Sequence, residues 1–209
     1  VGALVRLFPE LDALWGVPQP AHYHAEIDTG VHAMLVLRQA ARISLEPVVR
    51  FAALTHDLGK AVTPQEEWPK HHGHEQRGVK QVETLCNRCK APREYRDLAV
   101  LVTRWHSHCH KAAELRPATL HDTLISLDGL RRKERFEQFL LACEADSRGR
   151  LGKEEEPYPE ADLFREALIA IAAVPTAPLL EAGLSGEAFS TTLRERRIAA
   201  IRALRTKYV

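Results

Sequence analysis

A preponderance of charge of either sign is missing from this sequence. Twenty-nine Lys and Arg stand against 28 Asp and Glu, a formal net charge of +1. No global field therefore marks a nucleic-acid binder, and any basic surface must be local. Also missing is an uninterrupted apolar run of about 18 residues, so no membrane-spanning helix is expected. Cysteine is sparse. Four residues (Cys86, Cys89, Cys109 and Cys143) in a chain of 209 do not make a disulfide framework, and their scarcity fits a reducing, cytoplasmic setting. The first residues, Val1-Gly2-Ala3, show neither a Met nor a signal-peptide layout, so the chain reads as a piece of something longer. No segment alternates apolar and polar residues as a half-buried strand would, and there is no internal repeat or low-complexity tract.

What remains is helical periodicity nearly everywhere. The expectation is an all-α protein, a compact bundle of seven or eight helices. Pro9, Pro18 and Pro20 break the first stretch into a short helix and an irregular loop. Asp28 or Thr29 can cap a helix running through about Ala41. Glu46-Pro47 opens the next, with Pro in the first turn, and Gly59 stands where a left-handed C-cap would end it. A polar loop over 61–73 follows, then helices over 74–88, 94–107, 119–128 and 133–147. After a Gly-, Glu- and Pro-rich loop over 149–160, helices are expected over 160–172 and 187–207. Three consecutive segments are expected: a connector over 1–24, a main domain over 25–150, and a helical tail over 151–209 packed on it.

The abundant residue is histidine. Of 11, seven lie between His56 and His110. Val49, Ala52 and Ala53 precede His56 at helical spacing, so His56 continues an inward apolar face, with Asp57 about 100° round the helix. An imidazole and a carboxylate there need compensation, and a cation compensates both. His32, on the preceding helix near Leu35 and Val36, can approach His56 because a short connection makes the two helices antiparallel neighbours. Asp146, ending the apolar run 140–145, is the candidate fourth ligand, with Asp128 as its rival. Such a mixed set suits Mg, Mn, Ni, Fe or Zn. His74 and His106 can hold a second metal or steer a substrate phosphate. Lys60, Arg148 and Arg150 are candidate phosphate contacts. Asp57 would be both ligand and organiser of an attacking hydroxide, and His56 and Asp57 together form the catalytic pair.

The order His32, His56-Asp57, Asp146 resembles the signature of the HD phosphohydrolase superfamily, and His74 and His106 match the extra positions of its dinuclear members. Residues 7–19, 24–32, 68–75 and 144–150 together resemble the C-terminal half of bacterial CCA-adding tRNA nucleotidyltransferases. The resemblance implies a metal-dependent phosphohydrolase acting on 2′,3′-cyclic nucleotides, 2′-nucleotides and simple phosphomonoesters, within a protein of tRNA 3′-end maturation and repair. It also implies an N-terminal nucleotidyltransferase domain as partner, and tRNA. No Gly-rich element followed by paired carboxylates is present, so CCA addition itself is not expected. Many relatives have His-Asp where this chain has His106-Ser107, and Ser107 offers no carboxylate.

Several features have blander readings. Cys86 and Cys89 form a lone CxxC, which suits small apolar packing better than zinc. The cluster His108, Cys109 and His110 is expected at a helix end, facing solvent or substrate. Lys153-Glu154-Glu155-Glu156 suits a solvated loop. The last helix carries Arg194, Arg196, Arg197, Arg202, Arg205 and Lys207 around an apolar stripe of Leu193, Ile198, Ile201 and Leu204. Its default is a solvated basic face, and its alternative a tRNA contact. The competing function is a non-catalytic tRNA-binding tail with a relict metal site. A zinc-structural module would need more clustered Cys and His than are present.

Overall fold

The computed structural model describes residues 2–22 and 24–205, and among them it is all-helical, with no strand beyond an isolated bridge between Pro18 and Asp28. The helices in chain order are α1 (Ala3–Leu7), α2 (Pro9–Asp12), α3 (Thr29–Ile43), α4 (Pro47–Thr55), α5 (His74–Cys89), α6 (Arg93–His110), α7 (Pro117–Ser126), α8 (Lys133–Arg148), α9 (Pro159–Ala172), α10 (Ala177–Glu181) and α11 (Gly186–Arg205). The expected end of α11, residues 206 and 207, lies outside the described residues. Two further 3-10 turns, Leu58–Val62 and Gln65–Glu67, occupy what reads from sequence as a polar loop.

Packing divides the chain into two units. The first comprises residues up to His110 together with Glu137–Tyr158, and the second Lys111–Phe136 together with the residues from Pro159 onward. Both are discontinuous, unlike the consecutive segments 1–24, 25–150 and 151–209 read from the sequence. The reason is α8, whose last three turns belong to the first unit and carry Asp146 there.

In the first unit, α3 starts where the Asp28 carboxylate accepts from the Val31 amide at 2.9 Å. The same carboxylate accepts from the Gly16 amide at 2.6 Å, which ties the preceding loop to the helix start. Helices α3 and α4 pack on each other through a three-residue connection, as antiparallel neighbours should. α4 also packs on α6, and α6 on α5. The core between them is made of small and branched side chains: Ala33, Val36, Val49, Ala52, Ala53, Leu98, Ala99 and Val102 are all buried.

The end of α4 departs from expectation. The helix stops at Thr55, and Gly59 does not take a left-handed conformation. Its lack of a side chain serves contact instead. A Cβ at Gly59 would run into the His74 carbonyl and lie 2.6 Å from the Gly78 amide nitrogen. Gly78 in turn faces Thr103, whose methyl a Cβ would meet at 2.6 Å. Bare backbone at 59 and 78 thus lets the turn after α4 lie directly on α5, and α5 on α6. Gly149 does the same for α8, where a Cβ would sit 2.8 Å from Val36 Cα on α3.

The second unit packs α11 against α7 and α9, burying Leu120, Leu124, Phe164, Ile171 and Ile201. Of the apolar stripe of α11, Ile201 is buried, and Leu193, Ile198 and Leu204 are half-buried. By length and composition residues 159–181 could cross a membrane, contrary to the expectation of no such stretch. The helix actually ends at Ala172 and restarts at Ala177, and its face of Ala161, Phe164, Ala167 and Ile171 is buried.

Replacing Gly59 by Ala should cost about 2 kcal/mol or more, because backbone atoms cannot yield as a flexible side chain would. Chemical denaturation of Gly59→Ala checks this. Unchanged stability would mean the turn and α5 are not in direct contact.

Candidate metal centre

Six ligand-type side chains from five elements meet in the first unit. His32 comes from α3, His56 and Asp57 from the turn that ends α4, His74 from the first turn of α5, His106 from α6 and Asp146 from α8. His32 and His56 are 0% and 1% exposed, Asp57 1%, and His106 and Asp146 4%. Asp146 Oδ1 lies 3.0 Å from His32 Nε2, and its Oδ2 lies 3.4 Å from His56 Nε2. His56 Nε2 is 3.1 Å from Asp57 Oδ2. Asp57 Oδ1 lies 3.3 Å from His74 Nε2 and 3.8 Å from His106 Nε2.

The tautomers are set from behind. His56 donates Nδ1–H to the Ala53 carbonyl at 2.7 Å, His74 to the His71 carbonyl at 3.1 Å, and His106 to the Val102 and Thr103 carbonyls at 3.1 Å. In the neutral ring each Nε2 is then a lone pair aimed at the centre, the form a metal ligand requires. His74 Nε2 and His106 Nε2 stand 3.4 Å apart. Two lone pairs at that distance repel unless a cation lies between them or one ring is protonated. His56 Nε2 and Asp57 Oδ1 are buried with no hydrogen-bond partner. Three overlapping groups, His32/His56/Asp57, His56/His106/Asp146 and Asp57/His74/His106, each have ligand atoms within 4.8 Å of one another. The donors are imidazole and carboxylate throughout, which suits a divalent transition metal or Mg. The residues therefore fit one cation, and His74 with His106 fit a second.

The electrostatics point the same way. Burial opposes ionisation of Asp57, yet His56 and Lys60 hold its carboxyl well below the usual range. Burial likewise opposes ionisation of Asp146, which His56 and His110 hold down. Burial, reinforced by repulsion from His56, keeps His106 neutral. Two buried carboxylates demand positive charge at their centre, which His56 as imidazolium supplies in the metal-free protein and a bound cation would supply in its place.

Of the remaining expected site residues, Lys60 lies beside Asp57. Its ammonium contacts Asp57 Oδ2 at 2.6 Å and the Gln19 side-chain oxygen at 2.6 Å. Arg148 and Arg150 stand apart from the cluster: among the described residues no contact is seen between either of them and it. Arg148 pairs with Glu144 at 2.9 Å and donates to the Glu156 carbonyl at 3.0 Å. It lines a cavity of about 250 Å³ with Arg38, Gln39 and Arg42. The reason is helical geometry, since a residue two positions beyond Asp146 points about 200° away. Arg150 buries its Nε without a partner. Asp128, the rival of Asp146, lies in the second unit and pairs with Arg131 at 2.7 Å.

The sequence reading did not assign His110, Tyr158, Glu26 or His24 to the centre. His110, expected to face solvent or substrate, places Nε2 2.7 Å from Asp146 Oδ2, and its Nδ1 lies 2.8 Å from the Tyr158 hydroxyl. Burial keeps the Tyr158 phenol protonated. His110 was detectable, being four residues from His106 on one helix face. Cys109, beside it, is buried. Glu26, with its side chain 1% exposed, backs His32 with Oε1 2.9 Å from His32 Nδ1, and also meets His24 Nδ1 at 2.8 Å. Burial opposes its charge, but His32 and His24 bring its pKa down to about 2. A carboxylate behind a ligating imidazole holds the ring and raises its basicity. Glu26 lies outside any helix, so no periodicity could aim it. The Cys86 and Cys89 pair joins no such cluster among the described residues; Cys86 is buried and Cys89 exposed.

A family model described as HD domain matches residues 29–167. The chain is 55% identical over 207 residues to the multifunctional CCA protein of Thioalkalivibrio sulfidiphilus, covering 99% of this chain and 51% of that one. It is 58% identical over 205 residues to the protein of the same name from Methylococcus capsulatus, covering 98% and 48%. The Nitrosococcus oceani protein of that name is 56% identical over 201 residues, covering 96% and 50%. The chain spans about half the length of these relatives. No solved structure gives a significant match.

The centre predicts a pH dependence for the metal-free protein. Burial alone would lower the His56 pKa, but Asp146 and Asp57 outweigh it and raise it to about 10. Its imidazolium stabilises the fold fully below the unfolded value of 6.5, and that contribution is lost as pH rises through about 10. Chelator-treated protein should therefore melt at lower temperature at about pH 10 than at about pH 7, with a shallower fall in His56→Gln. An equal slope in both proteins would show that His56 does not carry the charge.

Proposed function

The chain belongs to the HD domain family, and on that premise we propose that it is a metal-dependent phosphohydrolase acting on 2′,3′-cyclic nucleotides, 2′-nucleotides and small phosphomonoesters. The observation that carries this reading is the convergence of His32, His56, Asp57 and Asp146, with orphaned ligand atoms on His56 and Asp57. Those four would hold a divalent cation, of which Ni, Mg, Mn and Fe suit the donors, and His74 with His106 would hold a second. Such a cation supplies Lewis acidity toward a phosphoryl oxygen and lowers the pKa of water.

The chain's own residues prepare the site in other ways. The three carbonyl-anchored histidines need no reorientation to act as ligands, and His56 must first give up the Nε2 proton that Asp146 and Asp57 favour in the metal-free protein. Glu26 restrains His32 from behind. Lys60, buried against Asp57, keeps an ammonium beside the centre, where a phosphoester's negative charge is drawn. With the Tyr158 phenol donating to Nδ1, His110 directs Nε2–H to Asp146 and fixes that carboxylate. Ser107, whose hydroxyl is 3.4 Å from His106 Nε2, provides no acid, and His110 supplies a polar partner on the same side instead.

In the longer relatives this unit would work alongside a nucleotidyltransferase half, in cytoplasmic maturation and repair of tRNA 3′ ends. The competing reading, a tRNA-binding tail, gains little from α11. Arg194 is committed to Asp122 at 2.7 Å, and burial lowers the pKa of Arg197. Lys207 and the side chain of Arg205 lie outside the described residues.

Purified protein should hydrolyse a 2′,3′-cyclic nucleotide or a simple phosphomonoester with divalent metal, and lose about 100-fold or more with chelator or in Asp57→Ala. That loss corresponds to the several kcal/mol that a cation contributes to phosphoryl transfer. Equal activity of wild type and Asp57→Ala, with and without chelator, would leave the tRNA-binding tail as the better account.

A further inference from the structure

Beside the contact of Gly149 with Val36, a cavity of about 250 Å³ opens between α3 and the end of α8. Its polar lining is Arg38, Gln39 and Arg42 of α3, Arg148 of α8 and Glu154 of the loop that follows. None of these residues belongs to the ligand cluster. Three guanidiniums thus face one carboxylate. Arg38 and Arg42, four residues apart, are neighbours on the helix surface. Arg38 is exposed, and among the described residues it pairs with no carboxylate. Arg42 meets Glu155 at 2.7 Å, but the two side chains are 51% and 77% exposed, and water holds such pairs weakly. Arg148 spends Nη1 on Glu144 and Nε on the Glu156 carbonyl, which leaves Nη2 uncommitted. Gln39 is 4% exposed, and among the described residues its side-chain amide has no hydrogen-bond partner. The amides of Glu154 and Gly152, and then Arg38 and Arg42, hold the Glu154 carboxyl below its ordinary range.

We infer that this cavity is a pocket for the terminal phosphate of a small ligand, separate from the metal centre. The inference stands whether or not the centre hydrolyses phosphoesters. Guanidinium forks match phosphate oxygens in geometry and charge, and the buried Gln39 amide adds a donor. A cationic ligand would meet three arginines. An apolar ligand would leave the guanidiniums and the Gln39 amide unpaired out of water. The acids already present define what must enter. Glu144 can keep Arg148, because Nη2 remains free. Glu155 must yield Arg42, so the ligand has to outbid a carboxylate. An internal phosphodiester carries a single charge and would only exchange evenly with Glu155. A terminal phosphate carries about −1.5 to −2 near pH 7 and wins that exchange. At about 250 Å³ the cavity falls just under the usual small-ligand range, which begins near about 300 Å³. It therefore suits a phosphate with part of an attached sugar, not a whole coenzyme.

The test measures binding to metal-free protein, so that turnover at the centre plays no part. Adenosine 5′-monophosphate, inorganic phosphate, adenosine and an oligoribonucleotide without terminal phosphate are titrated by calorimetry and by amide NMR. The two phosphates should bind one per chain, and adenosine and the oligoribonucleotide should not. A nucleotide that binds more tightly than inorganic phosphate, or no more tightly, supports the pocket either way and says whether a nucleotide or the free ion fills it. Amide shifts should fall on residues 35–42 and 148–154. Arg38→Gln, at an exposed and unpaired position, should weaken binding about tenfold, the scale of a charge-assisted hydrogen bond. Glu155→Gln removes the competing carboxylate and should tighten binding about threefold. Arg93→Gln, which removes the same charge from an arginine that is 83% exposed on α6, should change it by less than about twofold. Equal weakening in Arg38→Gln and Arg93→Gln would reduce the effect to net charge and overturn the pocket. Shifts confined to residues 56–60 and 71–78 would move the phosphate to the metal centre and overturn it as well. Equal binding of the oligoribonucleotide would overturn the terminal phosphate in favour of a diester, and no binding of either phosphate would leave only a surface gap between ion pairs.

Discussion

Two carboxylates, Asp57 and Asp146, are held out of water among imidazoles, and much of the first unit is arranged around that fact. Removing a carboxylate from water costs several kcal/mol even after relaxation. The protein offsets this with a dense set of partners: Lys60 on Asp57, His110 on Asp146, and His32 and His56 between them. These partners still leave ligand atoms of His56 and Asp57 unmatched. A divalent cation is the species that would satisfy them all.

Bringing the two acids together is a packing problem that small residues solve. His56 and Asp57 leave α4 just before Gly59, and the absence of a side chain there lets His74 approach from α5. Asp146 arrives on α8 because Gly149 rests against Val36, one turn beyond His32 on α3. A methyl group at either glycine would push apart elements that share a ligand cluster. Stability and the site are thus coupled through backbone contact, and loosening the packing would spread the charges the site must hold close.

The all-helical fold was legible because the apolar periodicity is uninterrupted and the helix starts at Asp28, Pro47 and His74 carry ordinary signals. The central cluster was legible because its members fall on inward helix faces or at helix ends. What periodicity could not see lies in irregular chain. Glu26, His24 and Gln19 approach from the loop before α3, and Tyr158 from the segment before α9. Gly59 misled for a related reason: a glycine after a helix signals a left-handed cap or a close contact equally well, and only packing separates them. Arg148, near Asp146 in sequence, points the opposite way on α8. The discontinuous units escaped because nothing in composition marks the point within α8 where the chain returns.

The central claim is that the buried carboxylates and histidines are the ligands of one shared cation. Anomalous diffraction from crystals grown with Mn tests it most directly. The account predicts a strong peak bonded by His32, His56, Asp57 and Asp146, with any second peak at His74 and His106. An absence of any peak at saturating metal, or a peak held by other residues while His56 keeps its proton between Asp57 and Asp146, would contradict it.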